Sequence, residues 1–308
     1  NANGGAVAFY GTTRTVFAQE NKYINRAFMR RVLSTVNDKP ITIGEAHRLA
    51  QNDVMTGAAK EGESDRTQNH LQYSLLGDPA LSLNFPTMKV VLDSINGIAC
   101  ERTDTMPKLK AGSIARIAGH IEGKTDYQGV VTATVRDSRE LITCKLNDTK
   151  EAEEAFQFYD RQKTLYQGSD SVSNGKFSFS FAVPKDIDYS DATGLLNLYS
   201  ISNDKTMRAH GTSEKFTVGG SVESRNDSIG PSIYCYLNSP SFVDGGDVNT
   251  TPFFVAKLSD RDGINAAGSG IGHDLQLVID GDMTKTYNLN DHFTYDFGTY
   301  TSGSTYYS

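Results

Sequence analysis

Apolar positions change period along this chain of 308 residues. Ala6-Val7-Ala8-Phe9-Tyr10 is a short unbroken apolar run, which predicts a strand buried on both faces of a largely parallel sheet. Polar Gly11-Thr12-Thr13-Arg14-Thr15 follows at its carboxyl end. Tyr23, Ile24, Ala27, Phe28 and Val32 then recur at helical spacing until Asn37-Asp38-Lys39-Pro40 breaks the pattern. Thr42 is placed to N-cap a second helix, with Glu45 three residues on as its capping-box partner. Strand and helix in alternation predict an α/β fold over residues 1–85. Asp78-Pro79 reads as a turn, because proline fixes its own φ and drives the residue before it out of the helical region.

After Pro86 the period becomes two. Ser113–Ile121, Val130–Val135, Phe177–Val183 and Gly194–Tyr199 alternate or run apolar between turn residues, the signature of an antiparallel β-sandwich over residues 86–225. Phe177, Phe179 and Phe181 give the clearest alternation. Lys150–Gln167 is a polar insertion with no assignable element, and Gly219–Asp227 is the expected linker. Residues 226–308 repeat the strand pattern at Ile233–Leu237, Phe253–Leu258 and Leu275–Ile279. About four strands fall short of the roughly seven of an immunoglobulin-like sandwich, so this second β domain is expected to be truncated or completed by further chain.

Charge narrows the function classes. A formal net charge of -7, spread along the chain, argues against nucleic acid or an anionic membrane as a partner. No apolar run approaches the roughly 18 residues that span a bilayer. The start at Asn1-Ala2-Asn3-Gly4-Gly5, with neither Met nor a leader, reads as the interior of a longer polypeptide. Cys100, Cys144 and Cys235 are odd in number and lack metal spacing, which predicts free, mostly core thiols in place of a disulfide framework.

Candidate chemistry is sparse. His47, His70, His120, His210, His273 and His292 show no HxH or HExxH spacing, so no metal site and no cofactor is expected, and His47 reads as a packed or solvated helix position. None of the three cysteines sits at the carboxyl end of an α/β strand, and there is no GxSxG elbow. The glycines of Gly263–Gly272 match no phosphate-binding spacing. Asp260-Arg261-Asp262-Gly263 has calcium-loop alternation without the rest of an EF-hand, and reads more simply as a turn. Asp280-Gly281 suits a hairpin turn. The loop Gly11–Ala18 alone is recommended by position, since ligands of open α/β sheets bind at the carboxyl ends of strands.

Gly4-Gly5-Ala6-Val7-Ala8-Phe9-Tyr10-Gly11-Thr12-Thr13, Gly44-Glu45-Ala46 and above all Leu75-Leu76-Gly77-Asp78-Pro79-Ala80-Leu81 resemble the end of a gingipain-family cysteine peptidase domain. With Leu92–Gly97 and the Asp262–Asn265, Gly272–Asp274 and Ile279–Gly281 segments, the chain is most similar to the type IX secretion sortases of that family. The resemblance implies a caspase-like fold whose catalytic Cys and His lie upstream, so that no catalytic residue falls in this chain and the chain alone is inactive. It implies a substrate-pocket wall built from Thr12, Thr13, Arg14, Phe17 and Ala18, with Phe17 as the wall aromatic. For the parent it implies a thiol peptidase peripheral to the bacterial outer membrane. Its partners would be secreted cargo with C-terminal sorting domains, anionic lipopolysaccharide and other type IX secretion components. Two other readings stay open: a cell-surface binding module with an inactive peptidase remnant, and a secreted protease of gingipain type.

Overall fold

Alternate residues of a strand face opposite sides, and this decides how the first apolar run is used. In the computed structural model, which describes residues 5–37, 39–58, 64–65, 67–102, 104–150, 152–223, 229–266 and 274–308, β1 is Ala8–Thr12. The helix α1 (Ala18–Val32), the short strands β2 (Thr35–Val36) and β3 (Lys39–Pro40), the helix α2 (Ile43–Thr56) and β4 (Tyr73–Gly77) follow. β1 pairs with β4 antiparallel, Ala8 opposite Gly77 and Thr12 opposite Tyr73. This corrects the expectation of a parallel strand buried on both faces. Tyr10 faces the helices and stacks on Phe28 at 3.9 Å, whereas Val7 and Phe9 face outward, 81% and 57% exposed. Periodicity carries no information on a partner's direction, and an unbroken apolar run does not say which face is covered.

The helices are placed by their buried faces. Ile24 and Ala27 of α1 pack with Ala50 and Val54 of α2 and with Tyr73, and Val32 packs with Ile43 and Ala46. Arg31 donates to both carboxylate oxygens of buried Asp53, at 2.6 and 2.7 Å, which fixes the pair. Thr42 caps α2 as expected, its Oγ1 accepting the Glu45 N–H at 3.2 Å. The reciprocal half of the capping box is missing, because the Glu45 carboxylate accepts two bonds from Arg48. The expected Asp78-Pro79 turn takes over that end of the helix: Gly44 N–H donates to Pro79 O at 3.0 Å and Ile43 N–H to Leu81 O at 2.7 Å. A Cβ on Gly44 would lie 2.6 Å from the Pro79 Cβ, so the two motifs need each other.

Asn1–Thr87 and Met88–Ser308 form two compact units. The second is built from β5 (Met88–Ile95), β6 (Ile98–Ala99), β7 (Lys108–Ala111), β8 (Ile114–Ile121), β9 (Gly129–Arg136), β10 (Glu140–Thr143), β11 (Gln157–Asp160), β12 (Thr164–Val172), β13 (Lys176–Ala182), β14 (Leu195–Ser202), β15 (Arg208–Ser213) and β16 (Thr217–Ser221). Its main path runs β12-β9-β14-β15-β5-β8-β13. β5 serves two neighbours: Met88 and Lys89 pair parallel with β15, and Val90–Ile95 pair antiparallel with β8 across a bulge at Leu92–Ser94. The two ends of the path meet face to face, Tyr166 of β12 stacking on Phe179 and Phe181 of β13 at 5.7 and 4.8 Å. Phe177, Phe179 and Phe181 are all buried, as the alternation requires.

The polar insertion Lys150–Gln167 supplies β11, which pairs with the preceding β10 in a hairpin exposed along nearly all its length, and its end runs into β12, where Leu165 and Tyr166 are buried. The last strands are β17 (Ser232–Leu237), β18 (Phe254–Ser259), β19 (Gln276–Val278), β20 (Thr286–Asn288), β21 (Thr294–Tyr295) and β22 (Ser302–Tyr307). A four-stranded sheet in the order β17-β18-β22-β21 sends Ala256, Leu258, Phe293 and Tyr295 into the same apolar cluster as Phe181. Asp260–Gly263 is a turn, and Asp280 and Gly281, both at positive φ, make the turn that follows β19. Gly4, part of Gly263–Gly272, His273 and the end of the expected Gly219–Asp227 linker lie outside the described residues, and the first residues of that linker, Gly219–Ser221, instead complete β16. Among those described, no helix is long and apolar enough to cross a membrane.

Candidate functional site at the end of the first strand

β1 delivers its carboxyl end to two loops. One is the outgoing segment Thr13–Phe17, and the other is the incoming segment around His70–Gln72, which precedes the antiparallel partner β4. Thr12 closes the strand pairing opposite Tyr73. Thr13 donates to Gln72 O through both its N–H, at 3.1 Å, and its hydroxyl, at 3.3 Å. Arg14 is exposed. Phe17 is the N-cap residue of α1 and is 68% exposed, and Ala18 opens the helix beside it. The five residues expected to form a wall therefore lie in one short segment, a lip at the end of β1, with four of them, Thr13, Arg14, Phe17 and Ala18, exposed.

Sequence reasoning missed what holds that lip. Phe17 has no side chain able to cap α1, and its N–H is taken instead by Asn69 Oδ1 at 2.8 Å. Asn69 is 3% exposed. Behind it, Asp65 accepts from Thr67 N–H at 2.8 Å, Thr67 Oγ1 at 2.5 Å and His70 N–H at 2.9 Å, with His70 Nδ1 at 3.2 Å. Burial alone raises the Asp65 carboxyl, but these bonds outweigh it and hold the group below the usual carboxylate range. The Asp-x-Thr spacing at 65–67 is the one local signal that a polar stretch here folds on itself.

Under the lip lies an aromatic group. Tyr10 stacks on Phe28, leans on Tyr73 at 5.2 Å and meets the His47 ring edge-on at 5.4 Å. Burial, then the neighbouring Tyr73, pushes the Tyr10 phenol up, so it stays protonated. Burial lowers His47, whose Nδ1 finds no partner among the described residues. The unfolded chain therefore takes up the His47 proton first, and stability falls as pH drops below about 6.5 towards the lower folded value. We expect a His47→Phe chain to lose less unfolding free energy between pH 7.5 and 5.5 than the parent in denaturant titrations; equal losses would refute the assignment.

Residues 1–87 contain no cysteine, and the described thiols lie in the second unit. Cys100 is buried, but Cys144 and Cys235 are exposed, which corrects the expectation of core positions for all three. Residues 1–84 match the family model described as peptidase family C25. The crystal structure of dimeric latent PorU from Porphyromonas gingivalis matches at 30% identity with a TM-score of 0.50, over 97% of this chain and 28% of that one. The chain is PorU-like. It spans 28% of PorU's length, and within it the C25 match falls on the unit that carries the Thr12–Ala18 lip. A PapD-like domain of human CEP192 matches 49% of the chain at 14% identity and a TM-score of 0.19, too distant to argue from. No curated protein matches.

Proposed function

We propose that the chain is the carboxy-terminal part of a caspase-like peptidase domain followed by immunoglobulin-like β modules, within a cysteine peptidase that serves as a type IX secretion sortase. In this reading the parent works at the cell surface, peripheral to the outer membrane and beside other secretion components. It removes the C-terminal sorting domain of secreted cargo and joins the new end to anionic lipopolysaccharide. One observation carries the reading: the PorU likeness runs through both units, and the C25 match covers the first.

A thiolate from elsewhere in the peptidase domain attacks the scissile carbonyl. The peptide C–N bond breaks, and the leaving amine departs with a proton. An amine of the glycolipid then opens the thioester, forming the new amide and releasing the thiol. Thr12, Thr13, Arg14, Phe17 and Ala18 contribute a pocket wall, with the exposed Phe17 ring as its apolar face. A second reading, a cell-surface binding module, is favoured by the exposed Leu141, Phe156, Phe158 and Tyr159 on the β10–β11 hairpin.

The test is turnover of a peptide spanning a sorting-domain junction. The full-length protein should cleave it, and Phe17→Ala should lower kcat/KM roughly 10–100-fold, the range for removing apolar pocket contacts. The 308-residue chain alone should give no turnover. Cleavage by that chain, or a full-length Phe17→Ala protein as active as the parent, would defeat the proposal.

A further inference from the structure

Asn69 spends every polar atom of its side chain on the start of α1. Its Oδ1 accepts the Phe17 N–H at 2.8 Å, and its Nδ2 donates to Asn21 Oδ1 at 3.2 Å. Its own N–H donates to Thr67 Oγ1 at 3.1 Å, and that hydroxyl donates in turn to Asp65. In an ordinary capping box the side chain of the third helical residue returns to the N-cap N–H. Here the return comes from 52 residues away in the chain. Because the group is buried, the bond is shielded from competing water, and the N-cap residue it fixes is the one whose ring stands in solvent.

We infer that Asn69 is a positioning residue for substrate selection, setting the direction of the Phe17 ring through the Phe17 N–H. Asp65 and Thr67 hold Asn69 in place. The inference rests on the pocket-wall reading of Phe17. Asn69 does not itself touch substrate: it removes freedom from the lip, so that the exposed phenyl face meets the cargo side chain beside the scissile bond without a cost of ordering on binding.

Full-length protein carrying Phe17→Ala, Asn69→Leu, Asn69→Asp or the Phe17→Ala/Asn69→Leu pair tests this with a junction peptide. Asn69→Leu keeps the side-chain size and removes the acceptor; we expect KM to rise about tenfold, the worth of a lost buried hydrogen bond, with kcat near the parent's. Asn69→Asp keeps the acceptor and should stay within about twofold of the parent KM. The double variant should be no worse than Phe17→Ala alone, because both changes act through one ring. If Phe17→Ala raises KM and Asn69→Leu does not, or if the two effects add in full, the Asn69 role is refuted while the wall reading stands. If Phe17→Ala has no effect, the wall reading itself fails. Should Asn69→Leu not fold, Asn69→Ser, whose hydroxyl is too short to reach the Phe17 N–H, must show the same rise in KM; a parent-like value overturns the proposal.

Discussion

Replacing Phe181 with alanine should lower the unfolding free energy of the second unit by about 3–5 kcal/mol, the largest single effect expected in the molecule. Phe181 is fully buried and stands opposite Ala115 on β8. Its ring lies 4.8 Å from that of Tyr166, which also stacks on Phe179 and leans on Tyr295 at 5.1 Å. The three strands involved, β13, β12 and β21, are not hydrogen-bonded to one another, so these rings carry the contact between layers that no ladder supplies. Burial first, and then Asp170, pushes the Tyr166 hydroxyl up to about 12, so the neighbour of the lost ring is neutral across the accessible pH range. Neighbouring main chain on paired strands cannot collapse into the space, and the cavity term adds to the lost transfer energy. Denaturant unfolding followed by far-UV circular dichroism should show the midpoint falling at unchanged slope. A loss under about 1 kcal/mol would mean that the layers are held elsewhere.

Asp65→Ala should cost the first unit about 2–4 kcal/mol at neutral pH, since it leaves the Thr67 and His70 N–H groups without their acceptor in a buried site. The linkage has a definite sign. A carboxyl held below its unfolded value contributes stability that is complete above about pH 4 and is lost as pH falls through the folded value. The parent should therefore destabilise on acidification below about pH 4, and Asp65→Ala should lack that part of the slope. The chain has no Trp, so hydrogen exchange of the α1 and α2 amides is the suitable measurement at each pH. Equal protection in both proteins at neutral pH would show that the Asp65 bonds do not hold the lip.

The β character of the second unit was legible because Phe177, Phe179 and Phe181 lie on a strand with one dry and one wet face, the condition under which period two appears. α2 was legible at its start because the Thr42 cap acts over three residues. The β10–β11 hairpin was hidden because Gln157–Asp160 is exposed on both faces and so shows no alternation. The site divides in the same way. Thr12–Ala18 could be found from its place after a strand, but Asn69 could not, since the partner it grips is 52 residues distant. Burial of polar side chains is a property of long-range contact, and composition gives no sign of it.

The double use of β5 bears on the order in which the second unit is made. Its antiparallel partner β8 begins at Ile114, but its parallel partner β15 begins only at Arg208. A chain synthesised or exported amino end first therefore holds the Met88–Lys89 end of β5 as an open edge while more than a hundred further residues emerge. Closing a loop of that length is entropically slow, and an unpaired edge is a template for wrong partners in the interval. The change of partner falls between Lys89 and Val90, so β8 can settle on β5, and β13 on β8, while the Met88–Lys89 end still waits for β15.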